Sequence, residues 1–105
     1  LDTVTVFGLP LNLAFQIPDA FSPNLDGVND VFRIVNKEAF QEIEMQIYNR
    51  WGELIFSGIN EESEWTGDSK TQKKCPIGLY IYYIEALPFG RADRMIRSGT
   101  LTLIR

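Results

Sequence analysis

The chain has 105 residues, which is enough for one domain around a single hydrophobic core. Ten basic against 14 acidic residues give a net charge of −4, and this balance disfavours a nucleic-acid-binding function. The chain contains no His, the commonest general base and zinc ligand, and its single Cys75 excludes an internal disulfide. No apolar run is long enough for a transmembrane helix, and residues 1–6 do not resemble a signal peptide. If the protein is exported, we expect the signal peptide to lie upstream on a longer parent chain.

The beginning of the chain contains two strand-like segments, residues 3–7 and 13–17, separated by Gly8-Leu9-Pro10. The first segment either belongs to this fold or is the last strand of a preceding domain. We therefore assign residues 1–16 to the end of an upstream domain, a linker or a first strand, and residues 17–105 to the domain itself.

A loop with a defined shape is predicted between two aromatic residues that we expect to be buried. Its proline fixes one φ angle, and an Asp-Gly pair tolerates a positive φ. Its oxygen-bearing side chains either bond to loop amides or form a weak calcium site, with Asn24, Asp26 and Asp30 as ligands. We favour the amide-bonded loop, because the acidic residue and the later Glu of an EF-hand loop are both missing. The characteristic residues of this segment are Phe21, Pro23, Asn24, Asp26, Gly27, Asn29 and Asp30.

The remaining elements are predicted mainly by period-two alternation. We expect a short strand at 31–35, a negligible helix at 37–41 and a hairpin formed by residues 42–57 around Asn49–Gly52. Residues 79–87 are apolar on both faces, which indicates a central strand, and residues 95–105 form the last strand, with a break or bulge near Ser98-Gly99. This pattern predicts an all-β fold, an antiparallel β-sandwich of about seven strands. The expected core is Phe21, Phe32, Ile34, Met45, Ile47, Trp51, Phe56, Tyr80, Tyr82, Ile84 and Leu101.

Two functional patterns compete with a purely structural interpretation. Glu61, Glu62 and Glu64 could act as paired carboxylates on a sugar, but such a polar stretch is more typical of a solvated loop. The serines have no His to activate them, so we expect no enzyme. The Tyr and Trp side chains could form a sugar-stacking platform, although core packing explains them better. A glycan-binding adhesin module with a calcium-stabilised loop is therefore the alternative hypothesis.

Five motifs occur in a fixed order along the chain: Ile17–Phe32, Tyr48–Phe56, Trp65-Thr66-Gly67, Pro76–Tyr82 and Gly99–Arg105. Together they resemble the type B C-terminal sorting domain of the type IX secretion system of Bacteroidetes-like bacteria, also called the gliding-motility-associated C-terminal domain. The chain departs from the family pattern at Asp19, Leu25, Thr66 and Leu79. Leu25 weakens the claim that the loop backbone must be glycine there.

The resemblance implies an immunoglobulin-like sandwich that acts as a non-catalytic secretion signal for a larger parent protein. The parent would pass through the periplasm to the cell surface, the outer membrane or the medium. The implied partners are outer-membrane components of the translocon, together with the parent's upstream domains. The implied recognition residues, here called the final motif, are Gly99, Thr100, Leu101, Thr102, Leu103, Ile104 and Arg105. The other motif residues, which we expect to be structural, are Asn49, Arg50, Trp51, Gly52, Trp65, Gly67, Gly78 and Tyr80.

Overall fold

The computed structural model describes residues 15–24, 30–69, 71 and 73–105. These residues form strands β1 (Ala20–Phe21), β2 (Phe40–Tyr48), β3 (Leu54–Ile59), β4 (Gly78–Pro88) and β5 (Met95–Leu103). Two single-turn 3₁₀ helices, Lys37–Ala39 and Asn60–Glu62, complete the regular structure of the described residues. The prediction of an all-β fold is confirmed.

The five strands form one sheet in the order β1-β5-β4-β2-β3, so β4 is central. This confirms the central position that the apolar composition of residues 79–87 predicts. The neighbouring pairs are antiparallel except β1 and β5, which run parallel. The sheet is therefore mixed rather than wholly antiparallel, because β1 runs parallel to β5 at its edge.

One face of the sheet carries the core, as period-two alternation requires. In β2 every second residue from Ile43 to Ile47 is buried, and in β4 the even-numbered residues from Tyr80 are buried. The register aligns these two rows, with Ile47 opposite Tyr82 and Met45 opposite Ile84. The hydrophobic contacts between strands therefore lie on a single inner face.

A second, less regular layer covers this inner face. Phe32 and Trp65 form an isolated antiparallel bridge, and each amide donates to the other's carbonyl, at 2.8 and 3.0 Å. Nearby, the Val35 amide donates to the Gln16 carbonyl at 2.7 Å, and Phe15 stacks on the ring of Phe40 at 5.1 Å. These segments cover the core face of the sheet, and among the described residues they form an isolated bridge rather than a second sheet. The described residues contain five strands and two isolated bridges, so the seven-strand count is not reached among them.

The predicted hairpin is present, whereas the segment at 31–35, the start of β2 and the end of β5 differ from the sequence predictions. The hairpin is confirmed, with β2 and β3 joined through residues 49–53. The predicted strand at 31–35 is reduced to the bridge at Phe32, since Val35 contacts a different segment. The last strand ends at Leu103, and its register with β4 continues through Ser98 and Gly99 without a bulge. The predicted helix at 37–41 is a single turn, because β2 begins at Phe40. The segment 3–7 and residues 13–14 of the segment 13–17 lie outside the described residues, whereas residues 15–17 are described and are not assigned to a strand.

The predicted core is largely correct. All its members are buried except Phe56, which is partly buried against the core, and Trp51. The assignment of Trp51 to the core is wrong, because the hairpin turn directs its side chain into solvent and leaves it 74% exposed.

Candidate recognition site around the final motif

The end of β5 is paired on both sides. Thr102 lies opposite Leu79 of β4 and opposite Ala20 of β1. Its amide donates to the Asp19 carbonyl at 2.8 Å, and the Ile104 amide donates to the Phe21 carbonyl at 3.0 Å. The backbone groups at this point are therefore already used within the sheet, and a partner strand cannot add here unless β1 is displaced.

The side chains of the final motif alternate between the two faces of the sheet. Leu101 and Leu103 are buried in the core, whereas Thr100 and Ile104 are exposed. In the folded domain a partner can thus contact the outward-facing side chains of this motif but not its leucines. The leucines instead hold the strand on the core, and burial of each contributes about 1.5–3 kcal/mol before entropy.

Arg105 ties the final motif to two other segments of the chain. Its Nη2 atom donates to the carbonyl oxygens of Cys75, at 2.9 Å, and Gly67, at 3.2 Å. The Gly67 carbonyl also accepts the amide of Cys75 at 2.9 Å. Gly67 has a φ of 89°, and a Cβ there would lie 3.3 Å from Pro23 and 3.4 Å from Arg105. The positive φ therefore favours glycine in the Trp65-Thr66-Gly67 motif, and its surroundings leave little room for a side chain.

An aromatic cluster connects the motifs inside the domain. Trp65 lies 5.0 Å from Tyr80 in an edge-to-face arrangement and 5.3 Å from Phe21. Phe32 lies 6.1 Å from Phe21 and 5.4 Å from Tyr82. Motif residues that are far apart in sequence thus form one continuous group of contacting rings, and each contact contributes more than area burial alone.

The polar atoms of two rings of this cluster, Tyr80 and Trp65, have hydrogen-bond partners. The hydroxyl of Tyr80 donates to the Pro76 carbonyl at 2.6 Å, and the indole nitrogen of Trp65 donates to the Asp68 carbonyl at 2.9 Å. Burial raises the pKa of the Tyr80 phenol, and the neighbouring Cys75 adds to this rise. Burial also raises the pKa of the Cys75 thiol, with the negative charge of Asp68 as a second cause. Both groups are therefore neutral near pH 7, which suits a packing role.

The hairpin turn presents Trp51 on a well-ordered loop. The side-chain oxygen of Asn49 accepts the amides of Trp51 at 2.9 Å and Glu53 at 3.0 Å, and Gly52 has a φ of 84°. The Arg50 guanidinium lies over the Trp51 ring, 4.9 Å from its centroid. Sequence reasoning treated this tryptophan as core, although its place between Asn49 and Gly52 at a predicted turn was the signal that it faces outward.

The described residues show the surroundings of two of the glutamates considered for acid–base chemistry, and they leave the calcium hypothesis untested. Glu61 and Glu64 pair with the ammonium of Lys37, at 3.6 and 3.4 Å, so they form a local ion-pair cluster. No group of three or more His, Cys, Asp or Glu in the described residues is arranged to hold a metal ion. Of the calcium candidates, Asn24 and Asp30 are described, and Asp26 lies outside the described residues, as do Gly27 and Asn29.

Trp65 and Trp51 do not form the two-ring sugar platform of the alternative hypothesis. Trp65 is completely buried, whereas Trp51 is exposed at the hairpin turn. Without two exposed coplanar rings, a glycan-binding platform built on these tryptophans is not formed.

The sequence matches a known protein-family model over most of its length. A family model described as CHU_C type IX secretion signal domain matches residues 15–103. The match begins at Phe15, the ring that stacks on Phe40, and ends at Leu103, the last residue of β5. Among curated proteins, no relative matches the sequence. Within the described residues, no helix has the length and apolar character needed to cross a bilayer.

Proposed function

The chain belongs to the family of type IX secretion signal domains, and we propose that it directs its parent protein through the type IX secretion system as a folded signal that is recognised by its shape. A type IX secretion signal indicates export of the parent to the cell surface or the medium. In this mechanism the domain is already folded in the periplasm when it is recognised. The outer-membrane components of the translocon are the proteins that bind it.

The family match over residues 15–103 is the observation that carries this function. Recognition of the folded state is supported by the way the final motif is held. Its backbone is paired with β1 and β4, and Arg105 donates to the Gly67 and Cys75 carbonyls. An extended signal would have to break these bonds before it could be bound, whereas a folded signal offers its outward side chains at no such cost.

We infer that the domain performs no chemistry of its own. The sequence contains no His, and two of the three carboxylates considered above for acid–base work, Glu61 and Glu64, pair with Lys37. The thiol of Cys75 is buried, and its raised pKa disfavours the reactive thiolate.

The test is delivery of a fused reporter in a host that has the type IX system. Residues 15–105 should be fused to a reporter that is exported to the periplasm, and the surface and medium should be assayed for it. The fusion starts at residue 15 because Phe15 and Gln16 contact the domain. We expect release of the reporter, and retention in the periplasm would contradict the proposed function.

A second pair of fusions separates folded recognition from recognition of a linear segment. The variant Trp65→Ala removes a completely buried ring from the core but leaves the final motif intact. The variant Arg97→Ala changes an exposed side chain of β5 and serves as a folding control. Delivery is assayed at a temperature at which the destabilised Trp65→Ala domain is unfolded and the control is folded. If the Trp65→Ala fusion is still delivered as well as the unchanged fusion, recognition of a folded shape is wrong.

A further inference from the structure

An open groove lies beside the hairpin turn, at the same end of the sheet as the final motif. It has a volume of about 340 Å³, and we call it the Trp51 groove. Trp51 and the exposed aliphatic side chains of Ile77 and Leu79 supply its apolar surface. Arg50 is the one charged side chain among the described residues that line the groove.

The exposure of Trp51 is maintained by specific bonds. The Asn49 side chain accepts two amides and donates to the Glu53 carboxylate at 2.6 Å, while the Gly52 amide donates to the Asn49 carbonyl at 3.0 Å. These bonds fix the backbone of the turn that carries Trp51, so little backbone entropy would be lost when a partner binds to it. Exposed Trp and Arg on a rigid loop are the residue types that most often dominate binding energy at interfaces.

The charge of the groove is opposite to that of the chain as a whole. Within the described residues Arg50 has no ion pair, so its N–H donors are available, whereas the chain carries a net charge of −4. Arg105 adds a second positive charge behind the groove through its bond to the Cys75 carbonyl. Burial raises the pKa of Tyr80, whereas the positive charges of Arg50 and Arg105 lower it. Both charges are therefore close enough to the Tyr80 hydroxyl, which lines the groove, to influence it. By contrast, a hollow lined by Glu42, Glu44, Glu85 and Arg94 is mainly acidic.

The polar groups of the groove do not suit a sugar. The Asn49 side chain is engaged within its own loop, and the Tyr80 hydroxyl donates to the Pro76 carbonyl. The Arg50 guanidinium covers one face of the Trp51 ring. A glycan would therefore find one partly covered ring and few free hydrogen-bonding groups, whereas a carboxylate next to an apolar side chain could bind both Arg50 and the aliphatic wall.

We propose that the Trp51 groove binds an acidic peptide segment of a protein of the export machinery, with a carboxylate on Arg50 and an apolar side chain against Trp51, Ile77 and Leu79. This inference rests on the proposed function, since it names the chemistry of the partner that reads the folded domain. It also places a recognition surface outside the final motif.

Binding can be measured directly with defined probes. The full chain should be titrated with an end-blocked peptide of alternating Glu and Leu, with the same peptide carrying Lys for Glu, and with cellohexaose. Trp51 emission reports on the groove, because Trp65 is completely buried. We expect only the Glu peptide to shift this emission, with an affinity that falls as salt is added. The Arg50→Glu substitution should weaken binding of the Glu peptide by about tenfold or more. The same substitution at Arg97, an exposed residue of β5, should leave this binding unchanged.

Other results would overturn the proposal. Equal binding of the Lys peptide would show that charge does not select the ligand, and no binding by either peptide would show that the groove is not a peptide site. Binding of cellohexaose alone would make the groove a glycan site.

Delivery assays distinguish this inference from the function on which it rests. The Arg50→Glu and Trp51→Ala fusions should be delivered less than the Arg97→Glu fusion, with unchanged melting temperatures. If all three are delivered equally, the domain is a signal but this groove is not its contact. If the unchanged fusion is also retained, the proposed function itself fails.

Discussion

The phenol ring of Tyr82 on β4 lies across Gly99 on β5, and the two residues are directly opposite in the register. A Cβ atom at Gly99 would lie 2.7 Å from the Tyr82 hydroxyl oxygen and 2.9 Å from Cζ, which is too close. The ring in turn lies 5.4 Å from Phe32 in the facing layer. The final motif begins with glycine because the Tyr82 ring occupies the space that a side chain at position 99 would need. The pairing of Tyr82 with Gly99 also helps to fix the register of β4 and β5.

Gly99→Ala should therefore destabilise the domain by overpacking, by about 1–3 kcal/mol. Urea denaturation followed by circular dichroism measures this loss. Adding Tyr82→Phe should recover part of it, since the hydroxyl oxygen is the closest contact. If Gly99→Ala has no effect, the close approach of Tyr82 is not a constraint on this strand.

The two tryptophans should differ sharply in their contribution to stability. Trp65→Ala removes a completely buried ring and the bond from its indole nitrogen to Asp68, and should cost about 3–5 kcal/mol. Trp51→Ala removes an exposed ring stacked under Arg50 and should cost less than about 1 kcal/mol. Chemical denaturation of both variants tests the comparison, and similar losses would contradict the burial assigned to them.

Stability should fall in alkaline solution through Cys75 and Tyr80. Burial raises the pKa of each above its ordinary value, 9.0 for the thiol and 10.0 for the phenol. The unfolded chain then loses its protons at lower pH than the folded domain, so the stabilisation is complete below pH 9 and is lost as the pH rises through the folded values.

The measurement is the free energy of unfolding between pH 7 and pH 11. The decline should be shallower in Cys75→Ala than in the unchanged protein. An equally steep decline in that variant would show that the thiol does not contribute.

Arg105→Ala should loosen the end of β5. The variant loses the bonds to the Gly67 and Cys75 carbonyls, which on a partly exposed group are worth about 1 kcal/mol. The Ile104 amide, which donates to Phe21, should then exchange with solvent about fivefold faster. Arg97→Ala on the same strand is the matched control. Unchanged exchange in Arg105→Ala would mean that this side chain does not anchor the strand.

Calcium should not change the stability of the domain. The loop between Phe21 and Phe32 has only Asp26 and Asp30 as carboxylates, fewer than a tight calcium site uses. Asn24 and Asp30 each already interact with other groups of the protein. The melting temperature should be measured in millimolar calcium and again after chelation. A rise that chelation reverses, and that Asp26→Asn abolishes, would establish a calcium site instead.

Local patterns were sufficient for the elements with strong alternation. Ile43, Met45 and Ile47 alternate with polar residues, and the hairpin they predict is present, as is the central position of residues 79–87. The strand at 31–35 was not predictable in this way. Phe32 and Ile34 are buried, but the backbone of the segment bonds to Trp65 and to Gln16, which are distant in sequence, so it contributes a bridge instead of a strand.

The order of the motifs along the chain was enough to identify the family, because residue types and spacings are properties of the sequence alone. The surroundings of those motifs depended on the tertiary structure. Trp65 and Trp51 have the same side chain, yet one is at the centre of the aromatic cluster and the other is in solvent. Burial depends on which segments contact one another. The contacts of β1 with β5, of Phe32 with Trp65 and of Arg105 with Cys75 join segments that are distant in sequence, so they form only in the folded domain.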